Sequence, residues 1–115
     1  NYELNKEFLR NSIFDSSDDN ILTSLLEIMQ SINPKVVYKD WLAADSFDLS
    51  RRLQSIKSRC LLICGENDPL TPPKYHEYLS SEIPGSTLSV FPNCGHWPFI
   101  EQAELFLEEL DNFFV

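Results

Sequence analysis

A short apolar segment near the middle of the chain constrains its fold most strongly. Residues 60–64 are Cys-Leu-Leu-Ile-Cys, and the run ends at Gly65. A continuous apolar run of this length is typical of a β-strand that is covered on both faces, as in a parallel sheet. A helix, capped by Thr71, is predicted over residues 73–81, and a second strand over residues 87–91. Strand, helix and strand at this spacing predict a βαβ unit, and therefore an α/β fold with a short parallel strand pair and flanking helices.

Further helices are predicted on both sides of this unit. Apolar residues recur at helical spacing up to about Ile32, after a capping residue at Ser17 or Asp18. A single turn of helix is predicted over residues 40–45. An amphipathic stripe over residues 101–114 predicts a final helix, which is expected to bury its apolar face against the sheet.

The charge of the chain limits its partners. Its 115 residues include 18 Asp or Glu and 9 Lys or Arg, which gives a formal net charge of −9. This charge argues against nucleic acid as a partner, because the phosphates would be repelled. No apolar run approaches the ~18 residues of a membrane span, so no membrane span is predicted.

The three cysteines, Cys60, Cys64 and Cys94, are expected to be free thiols. If residues 60–64 form a strand, the Cα atoms of Cys60 and Cys64 lie about 13 Å apart, which is too far for a disulfide. Reduced cysteines are typical of a cytoplasmic protein, and this is the predicted location. A zinc site built from the thiols and His96 is disfavoured, because neither C-x-x-C nor H-x-x-x-H spacing occurs.

The chain contains only three glycines, and their spacing excludes several kinds of site. Gaps of 20 and 10 residues separate them, so a G-x-G-x-x-G or G-x-x-x-x-G-K phosphate-binding loop is absent. The G-x-S-x-G nucleophile elbow is absent for the same reason. Even a degenerate elbow would keep its nucleophile two residues before the last glycine. The residues at that distance from Gly65, Gly85 and Gly95 are Ile63, Ile83 and Asn93, none of which is a nucleophile.

Asp68 and His96 are distinguished by their positions. Each lies in the loop after the C-terminal end of a predicted strand, and parallel pairing would bring both loops to the same edge of the sheet. An Asp carboxylate that accepts the Nδ1–H of an imidazole fixes its tautomer, and the free Nε2 can then act as a general base. The structural alternatives are a turn before Pro69 for Asp68 and an ordinary loop histidine for His96.

Four other side chains are candidates for a role in the site around Asp68 and His96. Trp97 and Phe99 either form an apolar wall of a substrate pocket or pack the loop onto the last helix, and packing is favoured. Cys94 is expected to be a small, partly buried loop residue, because a thiol two residues from His96 rarely has nucleophile–base geometry with it. His76 is expected to have an ordinary role on an amphipathic helix.

Two stretches resemble the C-terminal part of an α/β-hydrolase. Residues 65–72 are Gly-Glu-Asn-Asp-Pro-Leu-Thr-Pro, and residues 93–102 are Asn-Cys-Gly-His-Trp-Pro-Phe-Ile-Glu-Gln. In this resemblance Asp68 has the position of the catalytic acid and His96 that of the base. The family's chain order is nucleophile, acid, base, so this chain would carry only the second and third members.

The resemblance divides the chain into two segments. Residues 44–115 resemble the C-terminal part of the hydrolase core, which predicts a partial α/β-hydrolase fold. Residues 1–43 resemble the helical lid that many members insert before it. One strand pair alone leaves a sheet edge exposed, and this edge is expected to pair with the missing first half of the fold or with a second copy of the chain.

The resemblance also implies an activity for the parent protein. It would hydrolyse an ester or a similar bond in a small-molecule substrate through a Ser nucleophile, with no metal and no organic cofactor. The chain alone is expected to have little or no activity, because triad members act as a unit. Two alternatives are open: a dehalogenase or epoxide-hydrolase type of parent with an Asp nucleophile, and a non-catalytic binding module.

Overall fold

The computed structural model describes residues 1–15 and 17–115. Within these residues the chain forms two strands, six α-helices and one 3-10 helix. The strands are β1 (Leu61–Gly65) and β2 (Thr87–Phe91). The helices, in chain order, are α1 (Tyr2–Ser12), α2 (Asp19–Ser31), α3 (Pro34–Ser46), the 3-10 helix (Ser50–Ser55), α4 (Pro73–Glu82), α5 (Pro98–Glu101) and α6 (Ala103–Phe114). None of the described helices is both long enough and apolar enough to cross a membrane.

The two strands form a parallel pair. Leu61 lies opposite Thr87, and the register continues to Gly65 opposite Phe91. Helix α4 connects the strands and packs against both of them, as expected for the crossover of a βαβ unit. The predicted fold class, a short parallel strand pair with flanking helices, is therefore confirmed.

Asn33 and Pro34 end one helix and begin the next. The Asn33 side chain accepts the backbone N–H of Lys35 over 2.9 Å, and Pro34 occupies the first helical position, where a missing N–H costs little. Helix α3 then continues to Ser46. The sequence prediction of a single turn over residues 40–45 is therefore wrong in length, because the signal that stops α2 also starts α3.

The main buried cluster lies between α1 and α2. Its buried members are all aliphatic: Leu9, Ile13, Leu22, Leu25 and Leu26. Trp97 and Ile100, which follow β2 in the chain, pack against the same cluster. The first two helices and the segment after the last strand therefore share one core.

The last helix covers the sheet less than predicted. On α6, Phe106, Leu110 and Phe113 are half-buried, whereas Leu107 is 59% and Phe114 77% exposed. No residue of α6 is fully buried. Two strands offer too little surface to cover the apolar face of a 12-residue helix, so the predicted burial of this face is wrong for the described residues.

Candidate active site

Asp68 and His96 meet at the carboxyl end of the strand pair. Asp68 lies three residues after β1, and His96 lies five residues after β2. Parallel strands end at the same edge of a sheet, so the two loops are neighbours. The Nδ1 atom of His96 lies 2.8 Å from Oδ2 of Asp68. The side chain of His96 is 31% exposed, whereas that of Asp68 is 4% exposed, so the imidazole is the member of the pair that an incoming group can reach.

The carboxylate of Asp68 is surrounded by four donors. Its Oδ1 atom accepts the backbone N–H groups of Leu70 and Thr71, over 2.8 and 3.0 Å. Its Oδ2 atom accepts the Thr71 hydroxyl over 2.9 Å and faces Nδ1 of His96. The bonds at Oδ1 form the Asx turn that the structural alternative for Asp68 describes. One side chain thus shapes the turn with one oxygen and orients the imidazole with the other.

Thr71 does not cap α4, contrary to the sequence prediction. The N-cap position is Pro72, and no side chain caps the helix there. The Thr71 hydroxyl donates to Asp68 instead, and its Oγ1 atom lies 3.4 Å from Nδ1 of His96. A hydrogen bond to an ionised acceptor is stronger than one between neutral groups, which accounts for this choice of partner.

The surroundings of Asp68 keep its carboxyl group ionised. Burial acts to raise the pKa of Asp68, but the hydrogen bonds from His96, Thr71 and Leu70 together outweigh it, and the pKa lies below its usual value. An ionised acceptor facing Nδ1 favours the tautomer with the proton on that nitrogen. The lone pair of the neutral ring is then at Nε2, where it can accept a proton from a hydroxyl nucleophile.

Two glycines allow the loop of His96 to approach its neighbours closely through its backbone. A Cβ atom on Gly65 would overlap the carbonyl oxygens of Cys94 and Gly95, and one on Gly95 would overlap the carbonyl oxygen of Ser12. The backbone N–H of Asn67 donates to the Cys94 carbonyl over 2.9 Å. Only a residue without a side chain permits such an approach, so Gly65 lets the loop of Asp68 contact that of His96, and Gly95 lets the loop of His96 contact the end of α1.

A cavity of about 280 Å³ opens beside the pair. Its lining includes Asp68, His96, Thr71 and, as an apolar wall, Phe99. The Phe99 ring also contacts Phe106 of α6, with ring centres 6.3 Å apart, so this side chain both lines the cavity and packs onto the last helix.

The other aromatic candidate, Trp97, is not among the residues that line the cavity, and it packs against the first helices, a contact that the sequence did not predict. Its ring packs against the cluster between α1 and α2, and its indole N–H donates to the Ser12 hydroxyl over 2.7 Å. The loop of His96 is therefore packed onto the first helices through Trp97 and onto the last helix through Phe99.

Cys94 and His76, the other two candidates, lie in different environments. Cys94 is fully buried, and burial, followed by the nearby charges of Glu101 and Asp68, raises its pKa to about 12. Such a thiol is protonated at neutral pH and is a poor nucleophile.

His76 also lines the cavity, and its Nδ1 atom is buried without a hydrogen-bond partner among the described residues. No group of three or more His, Cys, Asp or Glu side chains that could hold a metal occurs in residues 1–15 and 17–115.

Two residues of the site were missed by the sequence analysis. Ser12 is buried at the end of α1, and its carbonyl oxygen accepts the backbone N–H of His96 over 2.7 Å. Glu101 accepts three backbone N–H groups through its carboxylate, two of them from the residues on either side of His96. Their bonds to the loop of His96 are made largely through backbone groups, which every residue type offers and which give no signal in a side-chain pattern. The nearest signal in the sequence is that Glu101 falls within residues 93–102, one of the two stretches that resemble an α/β-hydrolase.

Comparison with known proteins gives consistent matches. A family model described as alpha/beta hydrolase fold matches residues 7–103. The chain is 32% identical over 103 residues to a pimeloyl-[acyl-carrier protein] methyl ester esterase from Neisseria meningitidis, which covers 88% of this chain and 40% of the esterase. It is 39% identical over 66 residues to a 2-hydroxy-6-oxononadienedioate/2-hydroxy-6-oxononatrienedioate hydrolase from Escherichia coli, covering 57% of this chain and 23% of that hydrolase.

Among solved structures, an esterase from Exiguobacterium antarcticum superposes with a TM-score of 0.90 at 22% identity. The match covers 97% of this chain and 42% of the esterase, and at this identity it shows a shared fold. The chain thus spans less than half the length of each of these proteins.

Proposed function

Because the chain belongs to the alpha/beta-hydrolase family, we propose that it supplies the acid and the base of a hydrolase whose nucleophile lies outside these 115 residues. The observation that carries this proposal is the 2.8 Å contact between Asp68 and Nδ1 of His96, with the imidazole partly exposed beside a cavity. The absence of any elbow glycine pattern from the sequence supports an external nucleophile.

The proposed mechanism is acyl transfer through a serine. Nε2 of His96 takes the proton of the serine hydroxyl as its oxygen attacks the carbonyl carbon of the substrate. Asp68 stabilises the resulting imidazolium through Nδ1–H. The imidazolium then gives the proton to the leaving alkoxide, which leaves an acyl-enzyme. A water molecule, deprotonated by Nε2, attacks the acyl carbon, and the proton returns to the serine oxygen as the acid product leaves.

The proposed substrate is a small molecule with an ester or a similar bond. One curated relative, named as a pimeloyl-[acyl-carrier protein] methyl ester esterase, supports an ester, and the other, named as a 2-hydroxy-6-oxononadienedioate/2-hydroxy-6-oxononatrienedioate hydrolase, supports hydrolysis of a small molecule. The cavity beside His96 supports it as well, because Phe99 offers an apolar wall next to the proposed base. The chemistry of this triad requires neither a metal nor an organic cofactor.

The division into a lid-like segment (residues 1–43) and a core segment (residues 44–115) remains part of the proposal. Helix α3 crosses this boundary, whereas α1 and α2 lie before it. The packing of Trp97 against the α1–α2 cluster supports a lid that rests on the loop of the base.

The proposed partner of the free edge of β1 is the upstream half of the same protein. The described sheet has two strands, and the relatives are more than twice as long as the matched chain. Pairing with a second copy of the chain is the alternative outcome, expected when the upstream half is not supplied. We also propose a cytoplasmic location, which the free thiols Cys60, Cys64 and Cys94 in the described residues support.

Ester hydrolysis tests the proposal. The full-length protein, meaning this chain with the upstream part, is expected to hydrolyse a p-nitrophenyl ester, and His96→Ala is expected to lower kcat by roughly 10⁴-fold or more. The 115-residue chain alone is expected to give no His96-dependent turnover. The kcat of Asp68→Asn is compared with that of Asp111→Asn. Asp111→Asn is the matched control, because Asp111 is an exposed carboxylate on α6. Full activity of His96→Ala would overturn the proposal.

A further inference from the structure

Glu101 binds three backbone N–H groups with the two oxygens of its carboxylate. Oε2 accepts from Phe14 over 2.8 Å and from Gly95 over 3.0 Å. Oε1 accepts from Trp97 over 2.9 Å. Hydrogen bonds from backbone amides to a carboxylate are charge-assisted and therefore among the stronger ones in proteins. A single side chain thus restrains two segments that are far apart in the sequence.

Two of the three donors flank His96 in the chain, and the third lies just after α1. Gly95 precedes His96 and Trp97 follows it, while Phe14 lies two residues after the end of α1. The backbone N–H of His96 itself donates to the carbonyl oxygen of Ser12. Three consecutive backbone N–H groups of the loop are therefore bonded, two to Glu101 and one to α1.

A carboxylate is the only protein side chain of this length that satisfies all three donors. Each carboxylate oxygen accepts and neither donates. In a glutamine, one of the two positions is an NH₂ group, which would face either the Trp97 N–H or the N–H groups of Phe14 and Gly95. An isosteric Glu101→Gln change therefore removes bonds at one oxygen and places a donor against a donor.

We propose that Glu101 is a positioning residue for His96. Its carboxylate holds the backbone before and after His96 and ties this loop to the end of α1, so that Nδ1 stays on Asp68 and Nε2 faces the nucleophile. Glu101 touches neither reacting side chain and acts only through the backbone. This inference rests on the proposed function, in which His96 is the base.

Steady-state kinetics of the full-length protein test the positioning role. Glu101→Gln is expected to lower kcat by roughly ten- to a hundredfold, the range that the loss of charge-assisted hydrogen bonds would produce, while KM changes little. Glu104→Gln is the matched control, because Glu104 is an exposed glutamate on the first turn of α6. It is expected to keep the wild-type kcat. Wild-type kcat per folded molecule in Glu101→Gln would overturn the proposal.

Two NMR measurements separate positioning from general stability. In the imidazole ¹⁵N spectrum, the wild type is expected to show one Nδ1–H tautomer at His96, and Glu101→Gln a mixture of tautomers. An unchanged spectrum would overturn the proposal. In the wild type itself, the amides of Gly95 and Trp97 are expected to exchange as slowly as helical amides. Free-peptide exchange rates there would overturn the proposal even if no variant folds.

The variant His96→Ala distinguishes the two levels of inference. Full activity of His96→Ala would overturn the proposed function and, with it, the need for a positioning residue. Loss of activity in His96→Ala together with wild-type kcat in Glu101→Gln would overturn only the role of Glu101.

Discussion

The backbone N–H of His96 donates to the carbonyl oxygen of Ser12 over 2.7 Å. Ser12 is the last residue of α1, so the loop of the proposed base is bonded directly to the helices at the start of the chain. The Ser12 hydroxyl accepts the indole N–H of the next residue, Trp97, over 2.7 Å. The position of the imidazole therefore depends on α1 as well as on the strand that precedes it.

Removing the Ser12 hydroxyl is expected to destabilise the protein. In Ser12→Ala the indole N–H of the half-buried Trp97 loses its acceptor at the buried Ser12 position, and leaving a donor unsatisfied in such a site costs about 1–3 kcal/mol. The measurement is the free energy of unfolding in urea. Ser31→Ala is the matched control, because Ser31 ends α2 and its hydroxyl bonds the carbonyl three residues earlier, as that of Ser12 does. Ser31 is exposed, so its change is expected to stay within about 0.5 kcal/mol; equal losses in both variants would contradict this account.

The close approach of the two loops predicts different results at two glycines. Gly65→Ala places a methyl group against backbone carbonyls that cannot move aside, so it is expected to separate the acid and base loops and to lower both stability and kcat. Gly85→Ala has open space around it and only the strain of φ +69°, so it is expected to lower stability alone. Urea unfolding and ester hydrolysis of the full-length protein measure the two effects. A wild-type kcat in Gly65→Ala would refute the role of this contact.

The lowered pKa of Asp68 predicts how stability depends on pH. A carboxyl group with a lower pKa in the folded than in the unfolded protein stabilises the fold above its unfolded pKa, near 3.8, and this contribution is lost as the pH falls through the folded pKa. The free energy of unfolding is therefore expected to fall less steeply below pH 4 in Asp68→Asn than in the wild type. Thr71→Val removes one of the four donors and is expected to give an intermediate slope. Parallel curves for all three proteins would contradict the prediction.

Thiol reactivity tests the inert role of Cys94. Burial raises the pKa of Cys94 to about 12, whereas Cys60 is only half-buried. Iodoacetamide at pH 8 is expected to modify Cys60 in the folded protein and Cys94 only after unfolding, because the thiolate is the reactive form. Mass spectrometry of digested protein identifies the modified residue. Rapid alkylation of Cys94 in the folded protein would indicate an accessible thiolate there.

The pairing of Asp68 with His96 followed from local signals in the sequence. Each residue comes shortly after a recognisable strand, and parallel pairing then requires the two loops to share one edge. The βαβ unit could be predicted for the same reason, since apolar runs and turn residues are short-range patterns. The packing of Phe99 against the last helix agrees with the interpretation that the sequence favours.

The features that the sequence did not reveal depend on partners far along the chain or on competition between nearby groups. The bond from Phe14 to Glu101 joins residues 87 positions apart through a backbone amide, which every residue type offers equally. Thr71 had two local options, capping a helix or bonding a carboxylate three residues away, and a propensity rule describes only the first. The incomplete burial of α6 reflects the small size of the described sheet, which has two strands. The apolar periodicity of a helix does not reveal how large a sheet it faces.

A double-mutant cycle on Asp68 and His96 tests the central claim most directly. It compares kcat for ester hydrolysis by the full-length protein in the wild type, Asp68→Asn, His96→Ala and the double variant. If Asp68 acts only through His96, the double variant is expected to be no slower than His96→Ala alone, because residues that act as a unit are strongly non-additive. An acid–base pair at this site would be contradicted if the fold losses of kcat in the two single variants multiplied in the double variant. It would also be contradicted if either single variant kept the wild-type kcat.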